Sequence, residues 1–203
     1  MARRNARRAA AMMRRQAGWD MAMRVAMVAA ALCALAGVAA AKSAPETAAA
    51  LSVSPPAGYE VRPLPPRPPY ATIFGVRRPS DRDTGCQVSF AEDPATASLS
   101  QAQLNEAVQN PVWRDTAIRA MSPIYDIQHQ ETYRQGDLVG LLLEGMIRPR
   151  EGLPARAQEI RTLFVILQTP RGRTSTVCVG EVADFATRRA EFLTVAQGAT
   201  PPR

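Results

Sequence analysis

Histidine is nearly absent from this chain: His129 is the single imidazole in 203 residues. A zinc site needs three or four clustered His, Cys or carboxylate ligands, so this scarcity argues against zinc hydrolysis, and no metal site or cofactor is expected. Any Ser–His–Asp arrangement would rest on His129 alone, with no G-x-S-x-G elbow to expose a nucleophile. Its setting, a polar alternating stretch, predicts a solvated sheet face instead. Cysteine is sparse too. Cys33, Cys86 and Cys178 never approach C-x-x-C spacing, which removes the signature of a thiol–disulfide catalyst. No self-similarity recurs at the periods of solenoids or propellers. Excess charge is also missing where a polyanion binder would carry it. Residues 42–203 hold 18 basic and 17 acidic side chains, a balance of +1, so nearly all of the +7 belongs to the first 41 residues. A nucleic-acid binder shows its charge on the folded part, and no nucleic-acid partner is expected.

What is present begins with an address. Arg3, Arg4, Arg7, Arg8, Arg14, Arg15 and Arg24 stand against Asp20 alone; "VAMVAAALCALAGVAAA" then runs uncharged from Val25 to Ala41, before Lys42. A positive opening, an apolar run and a small-residue end are the layout of a secretory signal peptide. Residues 1–41 are assigned to it, with cleavage between Ala41 and Lys42. The alternative is an uncleaved inner-membrane anchor, for which these 17 residues lie at the low edge of the roughly 17–25 that span a bilayer. Cys33 follows Leu32 in mid-run, which does not suit lipid attachment. Ala17 does not suit a twin-arginine signal at Arg14-Arg15.

Export places the mature protein in the periplasm or outside the cell, where thiols oxidise. Cleavage leaves Cys86, in "GCQVSFAE", and Cys178, in "STVCVGEV", both strand-like alternations. A Cys86–Cys178 disulfide is expected. Two buried free thiols or a reactive pair are the alternatives, because sequence does not give the geometry a disulfide requires.

Residues 42–69 read as a linker. Seven prolines between Pro55 and Pro69 fix φ and remove amide donors, predicting extended polyproline-like chain rather than ladder strand. "RPLPPRPP" at 62–69 also matches the R-x-x-P-x-x-P form of a polyproline ligand, although a stiff spacer explains it without a partner. One globular domain is expected over 70–200. "YATIFGVRR" and "CQVSFAE" predict a hairpin. Ser100 and Gln103 form a capping box that starts a helix, with Leu99 and Leu104 placed as a staple. Asn110-Pro111 starts a second helix carrying Trp113, Ala117 and Met121 on one face. Four strands follow in an antiparallel meander, the last two joined by the tight turn "TPRG". A closing helix, "DFATRRAEFLTVAQG", has Asp184 as its expected cap and Phe185, Phe192 and Ala196 on one face. The fold class is α+β: an antiparallel sheet with helices packed on it.

Two polar clusters invite a functional reading. Asp81-x-Asp83-x-Gly85 echoes a calcium loop but lacks its third acidic position and closing Glu, and as a polar connection between two strands it needs no ion. Arg148, Arg150 and Arg156 populate one loop, while Arg171 and Arg173 lie at the far end of the intervening strand. The 148–156 loop is the candidate for partner contact.

The ending "LFVILQTPRGRTSTVCVGEVADFATRRAEFLTVAQG", a strand, a tight polar turn, a strand and a closing helix, resembles the C-terminal third of PsbP-type α/β/α sandwich proteins. PsbP-type proteins are mostly non-enzymatic accessory factors, but this chain shows none of the residues their photosynthetic members use, so the resemblance implies the architecture alone. More broadly the chain resembles uncharacterised exported proteins of Gram-negative bacteria. The function expected is an exported, non-catalytic binding or accessory module of unidentified ligand or partner, a protein partner being possible. The alternatives are a periplasmic enzyme whose site does not show in sequence, or a membrane-anchored subunit if the N-terminal segment is retained.

Overall fold

The computed structural model describes residues 50–203. The signal-peptide assignment and its Ala41–Lys42 junction lie outside the described residues. None of the described helices is long and apolar enough to cross a membrane.

Nine strands and three α-helices are present among the described residues. In chain order they are β1 (Ser52–Val53), β2 (Glu60–Leu64), β3 (Thr72–Arg77), β4 (Gly85–Glu92), α1 (Gln101–Gln109), α2 (Pro111–Met121), β5 (Tyr125–Gln135), β6 (Leu138–Ile147), β7 (Ile160–Thr169), β8 (Gly172–Glu181), α3 (Phe185–Gln197) and β9 (Ala199–Thr200). Seven strands form one sheet in the order β2-β3-β4-β8-β7-β6-β5, every pairing antiparallel. It is two meanders, β2–β4 and β5–β8, joined along β4 and β8. The short strands β1 and β9 pair with each other.

Period-two alternation sorts the side chains between two helical layers. On the first face Val76, Val88, Phe90, Leu142, Leu163, Val165 and Leu167 pack with Phe185, Phe192, Val195 and Ala196 of α3. On the second, Leu141, Leu143 and Phe164 meet Val108 of α1 and Trp113, Ala117, Ile118 and Met121 of α2. Burial on both sides is what the unbroken apolar runs of β6 and β7 encode. Helices therefore cover both faces of the α+β sheet.

Capping sets where the second-face helices begin. The Ser100 hydroxyl accepts from the Gln103 amide at 3.3 Å, and the Gln103 side chain accepts from the Ser100 amide at 2.9 Å. Leu99 stays exposed while Leu104 is buried. Asn110 caps α2 by accepting from the Val112 amide at 2.9 Å, with Pro111 first in the helix. Asn105 donates to the Asp137 carbonyl at 2.7 Å and accepts from the Val139 amide at 3.0 Å, fixing α1 over the β5–β6 turn.

Two expectations need correction. The linker does not extend to residue 69. Leu51 is buried in the first core, Tyr59 and Val61 pack against it, and Glu60–Leu64 is a ladder strand paired with β3. Pro63 is tolerated because β2 is the sheet's edge, where a missing N–H can face outward. The proline-rich run beyond it is the β2–β3 connection, closed by a bridge between Arg67 and Tyr70. Asp184 does not cap α3 with its side chain; its carbonyl accepts the first amides instead, from Thr187 at 3.0 Å and Arg188 at 3.1 Å.

Candidate functional site

Arginine supplies every fixed positive side-chain charge in residues 50–203. Its planar fork suits carboxylates, and eight of these seventeen arginines pair with one. Arg188 is buried, donating to both Asp81 oxygens at 3.0 and 3.2 Å and to the Tyr59 hydroxyl at 3.3 Å. Arg78 donates to the same aspartate, and Tyr59 donates to Glu191 at 2.6 Å. Burial pushes the Asp81 carboxyl up, but donation from Arg188 and the Arg78 amide and the two guanidinium charges outweigh it, so the group ends below its ordinary value. Burial and the bond to Glu191 push the Tyr59 phenol up to about 12.

Arg156 gathers Asp83 at 2.9 Å, Glu159 at 3.0 Å and Glu181 at 2.6 Å. Its hydrogen bonds hold the Asp83 and Glu181 carboxyls below their usual range. Arg189 joins Glu144 and Glu131, both at 2.6 Å. Each cluster pairs an arginine with carboxylates from separate segments of the chain.

The predicted site residues follow from this. Cys86 and Cys178 face one another in the β4–β8 register and are bonded, their Cα atoms 4.0 Å apart. Asp81 serves Arg78 and Arg188, and Asp83 serves Arg156. Among the described residues no group of three His, Cys, Asp or Glu could hold a metal ion. His129 is exposed on the edge strand β5, 3.7 Å from Glu131. In the 148–156 loop, Arg156 is bound as above, and Arg148 donates to the Ser122 carbonyl at 2.7 Å. Only Arg150 of that trio is left without a side-chain partner there.

A strip of the second face at Gly75, Gln87, Val177 and Val179 remains half-exposed, while Ile73, Ser89 and Ala91 on the same face are buried. Helices about 10 Å across, two side by side, cover about 20 Å of a seven-stranded sheet about 29 Å wide. Their layer stops at Val177. Along β8, Thr174, Thr176, Cys178 and Gly180 are buried beneath α3, while Ser175, Val177 and Val179 are half-exposed on the other side. Beyond Val177 lies a shallow cleft of about 360 Å³ between Leu64, Gly75, Arg77, Gln87 and Val179. On the helix side of Val177 lies a more enclosed cavity of about 260 Å³, walled by Ala117, Ala120, Met121, Phe164 and Ile166, with Tyr70, Arg173 and Ser175 completing it. Arg67 reaches over the strip to Gln87 at 3.3 Å. Arg67, Arg77 and Arg173 have no carboxylate partner among the described residues. Sequence reasoning treated Arg173 as a loop residue and the arginines of the proline run as linker. The usable signal was in "RTSTVCVGEV": the face opposite the cysteine carries Val177 and Val179, two apolar residues where a solvated face would be polar.

No protein-family model matches the sequence, and no curated protein matches it. Among solved structures the chain is similar to cyanobacterial PsbP (CyanoP) from Synechocystis sp. PCC 6803 in solution, at 16% identity over 78% of this chain and 96% of that one, with a TM-score of 0.44. It is also similar to PA94, a protein of unknown function from Pseudomonas aeruginosa, at 13% identity over 75% of this chain and 85% of that one, with a TM-score of 0.39. Identities this low say nothing of ligand or partner.

Proposed function

We propose that the protein is an exported, non-catalytic binding module whose working surface is the strip of the second face at Gly75, Gln87, Val177 and Val179, where β3, β4 and β8 are half-exposed. One observation carries the reading: an apolar strip centred on Val177 and Val179, left open by the helices and bordered by Arg67, Arg77 and Arg173 without carboxylate partners. Exposed apolar surface rimmed by charge is the usual mark of an interaction site. The signal layout of residues 1–41 and the Cys86–Cys178 bond support an oxidising, extracytoplasmic setting.

The test is a photo-reactive amino acid placed at Val179, on the strip, or at Ala186, exposed on α3, with the protein expressed in its own periplasm. Adducts at Val179 and none at Ala186 support the reading. Equal labelling at both positions, or labelling at neither, overturns it. The mass of the recovered protein checks export, with Lys42 expected as the first residue.

A further inference from the structure

We propose that the cavity between α2 and β7–β8 binds a small amphiphilic carboxylate, with an unbranched chain of roughly ten carbons. This deepens the open-face reading and rests on it. The cavity holds about 260 Å³, the volume of about nine liquid waters, and a methylene takes nearly the same room as a water. Its walls come from Ala117, Met121, Phe164, Ile166 and Val177. They offer nothing for a polar tail to bond, and an apolar space of this kind favours a hydrocarbon over water.

The polar side decides the head group. Arg173 lines the cavity and is itself exposed, so its guanidinium stands on the solvent side. Tyr70 and Ser175 add hydroxyl donors. No Asp or Glu lines the space, and Arg173 has no carboxylate partner among the described residues. One fixed positive charge with neutral donors matches a monoanion, rejects a cation, and suits the bidentate geometry of a carboxylate. Position favours access as well, since the cavity opens on the strip whose other half is the Leu64–Val179 cleft.

Calorimetric titration of the mature protein with decanoate, octanoate and decylamine, each below its micelle concentration, tests the assignment. Decanoate should bind saturably at one site. Octanoate should bind roughly tenfold more weakly, from two lost methylenes, and decylamine should not bind. Arg173→Gln should weaken decanoate about tenfold, whereas Arg150→Gln, an exposed arginine that does not line the cavity, should leave it unchanged. Ala120→Trp, also at an exposed position, should fill the space and abolish binding without lowering the thermal midpoint. Equal binding of decylamine, no dependence on chain length, or identical behaviour of the two arginine variants overturns the proposal. If decanoate fails while labelling at Val179 persists, the ligand assignment falls and the open-face reading stands.

Discussion

Arg188 carries a full charge into the first core, 5% exposed along its side chain, and Asp81 meets it at 3%. Such a pair is costly to break because the surviving partner is left charged and desolvated. Asp81→Ala is expected to destabilise by about 3 kcal/mol, the low end for a buried pair because Glu191 and Tyr59 remain nearby. Replacing both members, Asp81→Leu with Arg188→Met, should recover most of that loss; urea unfolding of the three proteins checks it. The depressed Asp81 carboxyl also fixes a pH dependence. Its contribution is complete above the unfolded value near 3.9 and disappears as pH falls through the lower native value. Asp81→Asn should therefore flatten the acid limb of stability below about pH 4, measured as thermal midpoint against pH. Nothing in the sequence announced this pairing. Asp81 and Arg188 are 107 residues apart, and locally Asp81 looked like the start of a calcium loop.

Among the elements, those with local causes were legible. The capping box of α1, the Asn110-Pro111 start of α2 and the two-residue turn Pro170–Arg171 depend on neighbours in the chain, and all are found where the residues predict them. The β2 strand was missed because its prolines argue against a ladder; what permits it is position at the sheet edge, a fact of tertiary order. Gly172, after the tight turn, shows both kinds of cause. Its φ of +143° belongs to glycine for local reasons, and a side chain there would run into the carbonyl of Ala91 on β4. Gly172→Ala is expected to cost about 2 kcal/mol or more, and its effect should appear first as faster amide exchange at the β4–β8 seam.

Across the domain, the sequence supports an α+β antiparallel sheet and pairs the right cysteines. It does not say which face each helix takes or where the helical layer ends, since that depends on α1 and α2 being too few to span seven strands. The open strip, and with it the candidate site, is a by-product of that mismatch. The disulfide sits where the two meanders meet, a junction between segments 92 residues apart. Removing it with Cys86→Ala/Cys178→Ala should cost about 4 kcal/mol, by the entropy regained in the unfolded chain, read as a lowered urea midpoint. Failure of reductant to shift the midpoint of the native protein would contradict that placement.

The same bond divides the domain mechanically. Held by handles at Ala50 and Arg203 and stretched, the oxidised protein can pay out only the segments outside Cys86 and Cys178, because force passes through the sulfurs and bypasses everything between them. Reduction under tension should release the hidden 92-residue loop, adding about 320 Å of contour length at roughly 3.5 Å per residue. Optical tweezers would see it as one step, present only with reductant.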